Sequence, residues 1–189
     1  GFYSWVPEVV RERLLALCSE VLTPGGVAYI SYNAMPGGHL RRMIWQMLAY
    51  HVDRDGTPQQ QVAGAADFLA WLDRSLGAPA DGVKEGYLAA IRYELDHHLK
   101  ELSPALLYHD DLSPHNTPFL FTDFMEGARR HGLDYLAEAD YFEMSDLFLS
   151  VESRRHLDGF TAGDGVAREQ YLDFLKGRRF RQTLLRRGT

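Results

Sequence analysis

The segment from Tyr108 to Asn116 holds the densest group of side chains that could do chemistry in this chain. Its reactive side chains are His109, Asp110, Asp111, His115 and Asn116. Carboxylates and imidazoles together suit zinc or iron, but the sequence offers no further ligand cluster, so we predict no metal site. The alternative is structural, because Asp111, Ser113 and Asn116 are residue types that cap turns and satisfy backbone N–H groups.

The spacing His109-x-Asp111-x4-Asn116 resembles the catalytic loop of aminoglycoside-phosphotransferase-like kinases. The resemblance implies that Asp111 accepts a hydroxyl proton and that Asn116 holds a magnesium ion. Such enzymes also need a phosphate-covering loop, a lysine-bearing strand and a second metal-binding aspartate, and the chain shows none of these at the expected positions. Phosphotransfer is therefore an alternative and not our main prediction.

Two elements near the start of the chain have clear patterns. Val27 to Tyr32 is uncharged and rich in β-favouring residues, which predicts a strand buried on both faces, as in a parallel sheet. Before it, apolar residues recur at steps of three and four from Val10 to Val21, which predicts an amphipathic helix. A helix, a Pro-Gly-Gly turn and a buried strand form half of a βαβ crossover. We therefore expect further strands of the sheet to precede Gly1.

Three parts of the chain resemble one family. Gly1 to Pro7, together with Leu22 to Tyr32, resembles the region between strands four and five of class I S-adenosylmethionine-dependent methyltransferases. Tyr108 to Asp140 and Arg168 to Leu185 resemble the same family, specifically the methyltransferases that carry a methyltransferase regulatory domain. The chain is thus similar to the C-terminal portion of such an enzyme.

The resemblance implies a fold class and a division into domains. The fold is α/β and mostly helical: the remnant of a class I methyltransferase sheet, which is Rossmann-like, with a helical insertion and a helical C-terminal region. The predicted domains are 1–38, the end of the catalytic domain with its fifth strand; 39–107, the helical insertion; 108–145, a regulatory region that returns to the sheet; and 146–189, a C-terminal linker and helix.

Local patterns predict the elements of these domains. Helical spacing of apolar residues predicts three helices over 39–102, and alternation predicts a strand over Leu133 to Glu138. Three glycines predict a loop over 158–165, and we expect a final helix from Arg168 to Leu185. The basic tail from Lys176 to Arg187 would then be a solvated helix face or a surface that contacts acidic parts of the chain.

The sheet also suggests where a site would lie, because ligands of open α/β sheets bind beyond the carboxyl ends of the strands. The residues that we predict at an active-site rim are Tyr3, Ser4, Trp5, Tyr32, Asn33, His109, Asp111 and Asn116. The first five follow strands four and five, and the last three belong to a loop that would fold over the rim. Alternatively, Trp5 fastens the next helix to the sheet and Tyr32 is a core tyrosine. The sequence assigns no catalytic residue.

The resemblance implies S-adenosylmethionine as the cofactor of the intact enzyme and a methyl group that passes to a substrate nucleophile. Some relatives methylate protein lysines, so kinship implies a protein substrate. The glycine-rich turn and the acidic residue that hold this cofactor are expected upstream of Gly1, and we predict no cofactor-binding residue in this chain. The chain alone should then be inactive, with the missing N-terminal methyltransferase half as its partner. A protein-binding or dimerisation module is the alternative from another class.

Composition sets outer limits on the function. The chain has 189 residues and a net charge of −6 from 26 acidic and 20 basic side chains, which argues against a general nucleic-acid binder. The single cysteine excludes an internal disulfide and fits a reducing compartment, so we expect a cytoplasmic protein. No apolar run approaches the ~20 residues of a membrane span, and we predict no membrane partner.

Overall fold

The computed structural model describes residues 1–77, 82–100 and 103–188. In chain order the helices and strands are α1 (Glu8–Val21), β1 (Val27–Asn33), α2 (Gly38–His51), α3 (Pro58–Ser75), α4 (Val83–Lys100), α5 (Pro104–Leu106), α6 (Phe121–Arg130), β2 (Leu133–Glu138), α7 (Val151–Thr161), α8 (Gly165–Lys176) and β3 (Phe180–Arg187). A π-helical turn, Leu107–Asp111, follows α5 directly. The predicted fold class, α/β and mostly helical, is confirmed.

The chain divides into two compact units. One unit combines 1–38 with 117–189 and contains the sheet; we call it the sheet unit. The other spans 39–116 and contains α2, α3, α4 and the π-helical turn; we call it the helical unit. The three helices predicted over 39–102 are thus present as elements, while the functional domain boundaries predicted from sequence remain predictions.

The sheet unit is built on three strands in the order β1-β3-β2. β3 lies between the other two and is antiparallel to both, so β1 and β2 run in the same direction. Pairing aligns Ile30 of β1 with Thr183 of β3, and Glu138 of β2 with the same Thr183. The apolar core around the sheet consists of Tyr3, Leu15, Ile30, Tyr32, Phe121, Phe124, Met125, Ala128, Leu133, Val166 and Leu185.

β1 lies where the sequence predicts a strand, but its burial differs from the prediction. Ile30 and Tyr32 point into the core, whereas Val27 and Tyr29 on the other face are about half exposed. The expectation of burial on both faces is therefore wrong for the described residues. The strand paired with β1 in this chain is the antiparallel β3, and the further strands expected before Gly1 stay a prediction.

The predicted final helix from Arg168 to Leu185 is wrong in its second half. α8 ends at Lys176, because Gly177 adopts the left-handed conformation with φ of 61°, a usual way to stop a helix. The residues after it form β3, in which Arg181, Thr183 and Leu185 alternate inward. The basic tail is therefore a central strand and not a solvated helix face. The segment 146–189 thus contains two helices and a strand.

The predicted loop over 158–165 is also shorter than expected. α7 continues through Gly159 to Thr161, and α8 begins at Gly165 after Asp164 caps it. The Asp164 carboxylate accepts hydrogen bonds from the backbone N–H groups of Val166 and Ala167. A glycine inside a helix only weakens it, so the cap decides the local structure here.

The helical unit has its own core, formed by Ile44, Leu48, Val52, Ala65, Leu69, Leu72, Ile91, Leu95, Leu107 and Leu112. α3 begins with a capping box, in which Thr57 and Gln60 each bond to the other's backbone N–H. Across the described residues, every helix is too short or too polar to cross a membrane.

Candidate functional site

Asp111, a predicted site residue, lies at the centre of a buried ionic network inside the helical unit. It ends the π-helical turn, and its side chain is almost fully buried. Its Oδ1 atom accepts hydrogen bonds from Arg41 on α2, at 3.1 Å from Nη2 and 3.3 Å from Nε. The same oxygen lies 3.1 Å from Nε2 of His98 on α4. Three elements therefore meet at one carboxylate.

His98 completes this network with both of its ring nitrogens. Its Nδ1 lies 2.7 Å from the carbonyl oxygen of Glu94, which can only accept, so Nδ1 carries a proton. Its Nε2 faces the Asp111 carboxylate, which also accepts. The geometry therefore suits a protonated imidazolium. Burial by itself lowers the pKa of His98, but the hydrogen bond and charge of Asp111 outweigh it and leave that pKa above its ordinary value.

The same interactions act on Asp111 in the opposite direction. Burial raises the pKa of its carboxyl, yet the hydrogen bond from His98 and the charge of Arg41 lower that pKa below its ordinary value. Asp111 is thus ionised at neutral pH, and its Oδ1 atom is held by two cations. A carboxylate held in this way is a poor proton acceptor for a substrate hydroxyl, so the geometry gives no support to the phosphotransfer alternative.

His109 and Asn116 take other positions in the helical unit. The His109 ring is exposed, packs edge-on against Tyr108 at 5.5 Å and lines an open cavity of about 270 Å³. The Asn116 amide donates a hydrogen bond to the carbonyl oxygen of Asp110 at 3.3 Å. Within residues 1–77, 82–100 and 103–188, no three His, Cys, Asp or Glu side chains form a group that could hold a metal ion.

The predicted residues of the sheet unit meet at the end of β1. The Ser4 hydroxyl accepts a hydrogen bond from the backbone N–H of Asn33 at 2.8 Å, and the Ser4 carbonyl accepts one from Thr117 at 3.0 Å. Ser4 is fully buried, whereas Trp5 and Asn33 are partly exposed. Ser4 therefore fastens the turn before α1 to the end of the strand.

Tyr3 and Tyr32 lie in the hydrophobic core. The Tyr32 ring stacks on Phe124 at 4.1 Å, and the Tyr3 ring packs edge-on against Phe124 at 5.3 Å. Burial raises the pKa of Tyr3 to about 12 and that of Tyr32 well above its ordinary value, so both hydroxyls stay neutral. The placement of Tyr32 agrees with the alternative of a core tyrosine. Rim roles for the eight residues remain predictions.

Sequence reasoning missed the most strongly charged part of the sheet unit, which surrounds Arg181 on β3. This guanidinium has no exposed side-chain surface. It contacts three carboxylates: Asp173 at 2.8 Å from Nε, Glu138 at 2.5 Å from Nη1, and Glu169 at 3.1 Å from Nη2. Its guanidinium carbon also lies 3.7 Å from the centre of the Phe121 ring, within reach of a cation–π contact.

Polar neighbours extend this network across the sheet. Thr183 donates a hydrogen bond from its hydroxyl to Glu138 at 2.9 Å, and its oxygen lies 3.1 Å from the Tyr32 hydroxyl. Arg178 adds a second cation, 2.9 Å from Asp173. One signal was available in the sequence: Glu169 and Asp173 are spaced at i and i+4, which places two acids on one face of α8. Without knowledge of β3, two acids on one face of a helix predict that this face is exposed to solvent.

The comparisons with known proteins bear on the same region. Residues 103–187 match the family described as "Predicted methyltransferase regulatory domain". The chain contains a methyltransferase regulatory domain. The Arg181 network therefore lies inside this regulatory domain, as do the π-helical turn and Asp111. The predicted resemblance to methyltransferases that carry this domain is confirmed.

Curated relatives match the chain along its whole length. An uncharacterized protein of Rickettsia prowazekii, RP789, is 33% identical over 98% of this chain and 32% of its own length. An uncharacterized protein of Synechocystis, sll1526, is 26% identical over 100% of this chain and 36% of its own length. The chain thus spans about a third of the length of these two relatives.

A solved structure has a similar fold. PKMT2 from Rickettsia typhi superimposes with a TM-score of 0.79 and is 29% identical, covering 99% of this chain and 34% of PKMT2. PKMT2 has also been solved in complex with AdoHcy, with the same similarity to this chain. The regulatory domain and this similarity identify the chain as a methyltransferase-related portion.

Proposed function

We propose that this chain is the C-terminal portion of an S-adenosylmethionine-dependent methyltransferase that acts on protein lysines. The observation that carries the proposal is the similarity to PKMT2 over 99% of the chain with a TM-score of 0.79. PKMT2 is a protein lysine methyltransferase whose complex with AdoHcy has been solved. AdoHcy is what S-adenosylmethionine becomes once its methyl group has been transferred, so the relative binds the product form of the proposed cofactor.

The three-stranded sheet supports the proposal that this chain forms part of a larger methyltransferase sheet. β1 pairs with β3 on one side. On its other side Asn33 bonds to Ser4 and Ala34 bridges Phe119, and the described residues supply no further strand there. Val27 and Tyr29 on one face of β1 are exposed, as are Val9 and Val21 on α1. A sheet edge that no described strand covers, beside exposed apolar residues, is where further strands would add. The proposed partner is therefore the N-terminal methyltransferase half.

The residues of this chain do not fit the cofactor on their own. An acidic residue at the end of a strand usually receives the ribose of such a nucleotide, and Glu138 ends β2. Both Glu138 oxygens are already used, because they accept hydrogen bonds from Arg181, Thr183 and the backbone of Gln182. No described strand leads into a glycine-rich turn of the kind that holds this cofactor. We therefore derive no chemical step here and propose that the chain alone is inactive.

A protein substrate is the second part of the proposal. The support is the similarity to a protein lysine methyltransferase, together with the net charge of −6 of this chain. A lysine-rich segment is a cation, and an acidic surface attracts it and increases the rate of encounter. In the intact enzyme this portion would contribute to holding the substrate chain.

Calorimetric titration tests the cofactor part of the proposal. S-adenosylmethionine and AdoHcy are titrated into the purified chain, with PKMT2 as the positive control and Mg-ATP as a parallel ligand. We expect saturable heat with PKMT2 and none with this chain. Saturable binding of S-adenosylmethionine by the chain alone would overturn the proposal that the cofactor site lies in the N-terminal half. Binding of Mg-ATP alone would restore the phosphotransfer alternative.

A second candidate, binding of a partner protein, rests on exposed apolar surface in the regulatory domain. The large exposed apolar side chains between residues 141 and 175 are Tyr141, Phe142, Leu147, Phe148, Val151, Phe160, Tyr171, Phe174 and Leu175. Surface of this kind marks interaction sites. If it binds a second copy, sedimentation of the chain should show concentration-dependent association that Phe174→Ser weakens.

A further inference from the structure

An open cavity on the helical unit is lined mainly by methionine and aromatic side chains, and we call it the apolar groove. Its volume is about 440 Å³, within the range of ligand sites in proteins. The described residues that line it are all uncharged: Met43, Gln46, Met47, Tyr50, Phe68 and Tyr87. The first four belong to α2, and the last two belong to α3 and α4.

The groove has a packed floor and an exposed rim. Met43, Met47 and Phe68 are partly buried and pack against the core of the helical unit. The Phe68 ring is also stacked on the His51 ring, with 4.7 Å between their centroids, which limits its movement. At the rim, Tyr50 is 95% exposed. Tyrosine and methionine are both enriched in protein interfaces, so the groove has the composition of a protein-binding surface.

We propose that the apolar groove binds the apolar side of a basic, amphipathic segment of the protein substrate, whose lysines stay outside the groove. The inference rests on the proposed function and adds the surface that would hold the substrate. Met43, Met47 and Tyr50 are spaced at i, i+4 and i+7, so they form one row of about 10 Å along α2. A row of that length matches the apolar residues on two turns of an amphipathic helix.

The lining selects an apolar occupant. Among the described lining residues, polar side-chain groups are limited to the Gln46 amide and the hydroxyls of Tyr50 and Tyr87. A charged small molecule would therefore lose water there without gaining a partner of opposite charge. An apolar side chain gains from the loss of water instead. Methionine side chains are flexible and polarizable, so Met43 and Met47 can adapt to apolar side chains of different shapes.

The charge of the helical unit selects a basic partner. Residues 39–116 carry 11 acidic and 7 basic side chains, a net charge of −4, while the rest of the chain carries 15 and 13, a net charge of −2. In the described part of the unit the exposed acids are Asp53, Asp55, Asp67, Asp73, Glu85 and Asp96, and the exposed bases are Arg42, Arg54, Arg74 and Lys100. A segment with lysines beside its apolar residues is therefore attracted to this unit.

Nuclear magnetic resonance of the methionine methyl groups in the whole chain tests where such a segment binds. The probe is a synthetic peptide of leucine and lysine with its leucines on one helical face, and the control peptide has glutamate in place of lysine. Of the five methionines, Met43 and Met47 line the groove, and Met35, Met125 and Met144 belong to the sheet unit. We expect the lysine peptide to shift the signals of Met43 and Met47 alone. The glutamate peptide should bind about tenfold more weakly.

Substitutions in the groove separate its apolar part from its electrostatic part. Tyr50→Ser removes an exposed ring, and we expect the lysine peptide to bind about tenfold more weakly. Gln46→Lys should weaken binding about fivefold and Gln46→Glu should not, because they place opposite charges at one lining position. The matched control is Tyr141→Ser on an exposed tyrosine of the sheet unit, which should leave binding unchanged.

Four results would overturn the proposal. The lysine peptide might bind nowhere on the chain, or it might shift the methionines of the sheet unit in place of Met43 and Met47. The glutamate peptide might bind as tightly as the lysine peptide. Finally, Tyr50→Ser might bind the lysine peptide as tightly as the unchanged chain does.

The substrate role is tested in a chimeric methyltransferase that contains this chain in place of the matching part of PKMT2. Tyr50→Ser should raise the KM for a lysine-bearing protein about tenfold and leave kcat within about twofold; an unchanged KM would overturn the proposal. The peptide measurement uses no cofactor, so the two proposals fail separately. An active chimera without peptide binding overturns the role of the groove alone. Peptide binding with an inactive chimera overturns the proposed function and leaves the groove as a peptide-binding site.

Discussion

Arg181 illustrates how a single buried residue can organise a whole unit. It brings one positive charge, and Arg178 a second, among the carboxylates of Glu138, Glu169 and Asp173. Burial raises the pKa of Glu169 and of Asp173, and the attraction of Arg181 only partly offsets it. The acids thus depend on Arg181 to stay ionised inside the unit.

Removing Arg181 should therefore be costly. Arg181→Met keeps the apolar stem but leaves three buried carboxylates with one fewer cation, and we expect a loss of about 3–5 kcal/mol in the free energy of unfolding. Urea denaturation followed by circular dichroism measures it. The matched control is Arg186→Met on the exposed end of the same strand, with an expected change within about 0.5 kcal/mol. Equal effects of the two substitutions would contradict a buried network.

Asp111 sets the charge state of His98. Asp111→Asn removes the negative charge and leaves burial as the main influence, so the pKa of His98 should fall below that in the unchanged chain. Titration of the His98 ring by nuclear magnetic resonance measures the change. Asp110→Asn is the control, because Asp110 lies 3.7 Å from Arg41 and makes no ion pair with His98 among the described contacts. An unchanged midpoint in Asp111→Asn would contradict the network.

The candidate site could be found from sequence only in part. The segment Tyr108 to Asn116 stands out because its residue types are dense and local. Its partners Arg41 and His98 come from helices far away in the chain and carry no local signal. Tyr3 and Tyr32 show a different problem. Their places next to predicted strand ends could be identified from sequence, but whether each ring points to a rim or into the core depends on packing.

At the scale of elements, local patterns predicted the helices better than the strands. Apolar spacing of three and four identified α1 to α4 as helices. The apolar faces of α2 to α4 pack on the core of the helical unit, whereas Val10, Leu17 and Val21 of the α1 stripe are exposed. Sequence reasoning missed β3 because two of its inward positions, Arg181 and Thr183, are polar. Its residues therefore do not alternate between an apolar buried face and a polar exposed face. Gly177, which separates β3 from α8, lies inside the helix predicted over Arg168 to Leu185, and a glycine within a helix indicates only a weakening.

Backbone contact between elements gives a prediction at this scale. A Cβ atom on Gly37 would lie 2.3 Å from the carbonyl oxygen of Gly177, so Gly37→Ala must displace the α8–β3 connection. We expect a loss of about 2–3 kcal/mol in the free energy of unfolding. Gly159→Ala is the control: its Cβ would meet nothing within 4 Å, and it lies inside α7. It should stabilise the chain by about 0.5–1 kcal/mol. Thermal and urea unfolding compare the two.

On the scale of the whole molecule, the regulatory domain does not coincide with one compact unit. Residues 103–116 of the match belong to the helical unit and residues 117–187 to the sheet unit. The domain therefore contains both the π-helical turn with Asp111 and the strand with Arg181. Since the chain spans about a third of RP789 and of sll1526, activity has to be measured in a longer protein.

A chimeric enzyme tests the central claim most directly. The matching 34% of PKMT2 is replaced by this chain, and transfer of labelled methyl groups from S-adenosylmethionine to protein lysines is measured. The account predicts turnover within about tenfold of PKMT2, and none when that part of PKMT2 is deleted. A chimera that folds and binds AdoHcy yet transfers no methyl groups, or a deletion variant that keeps full activity, would contradict the claim that this chain serves as the C-terminal portion of a methyltransferase.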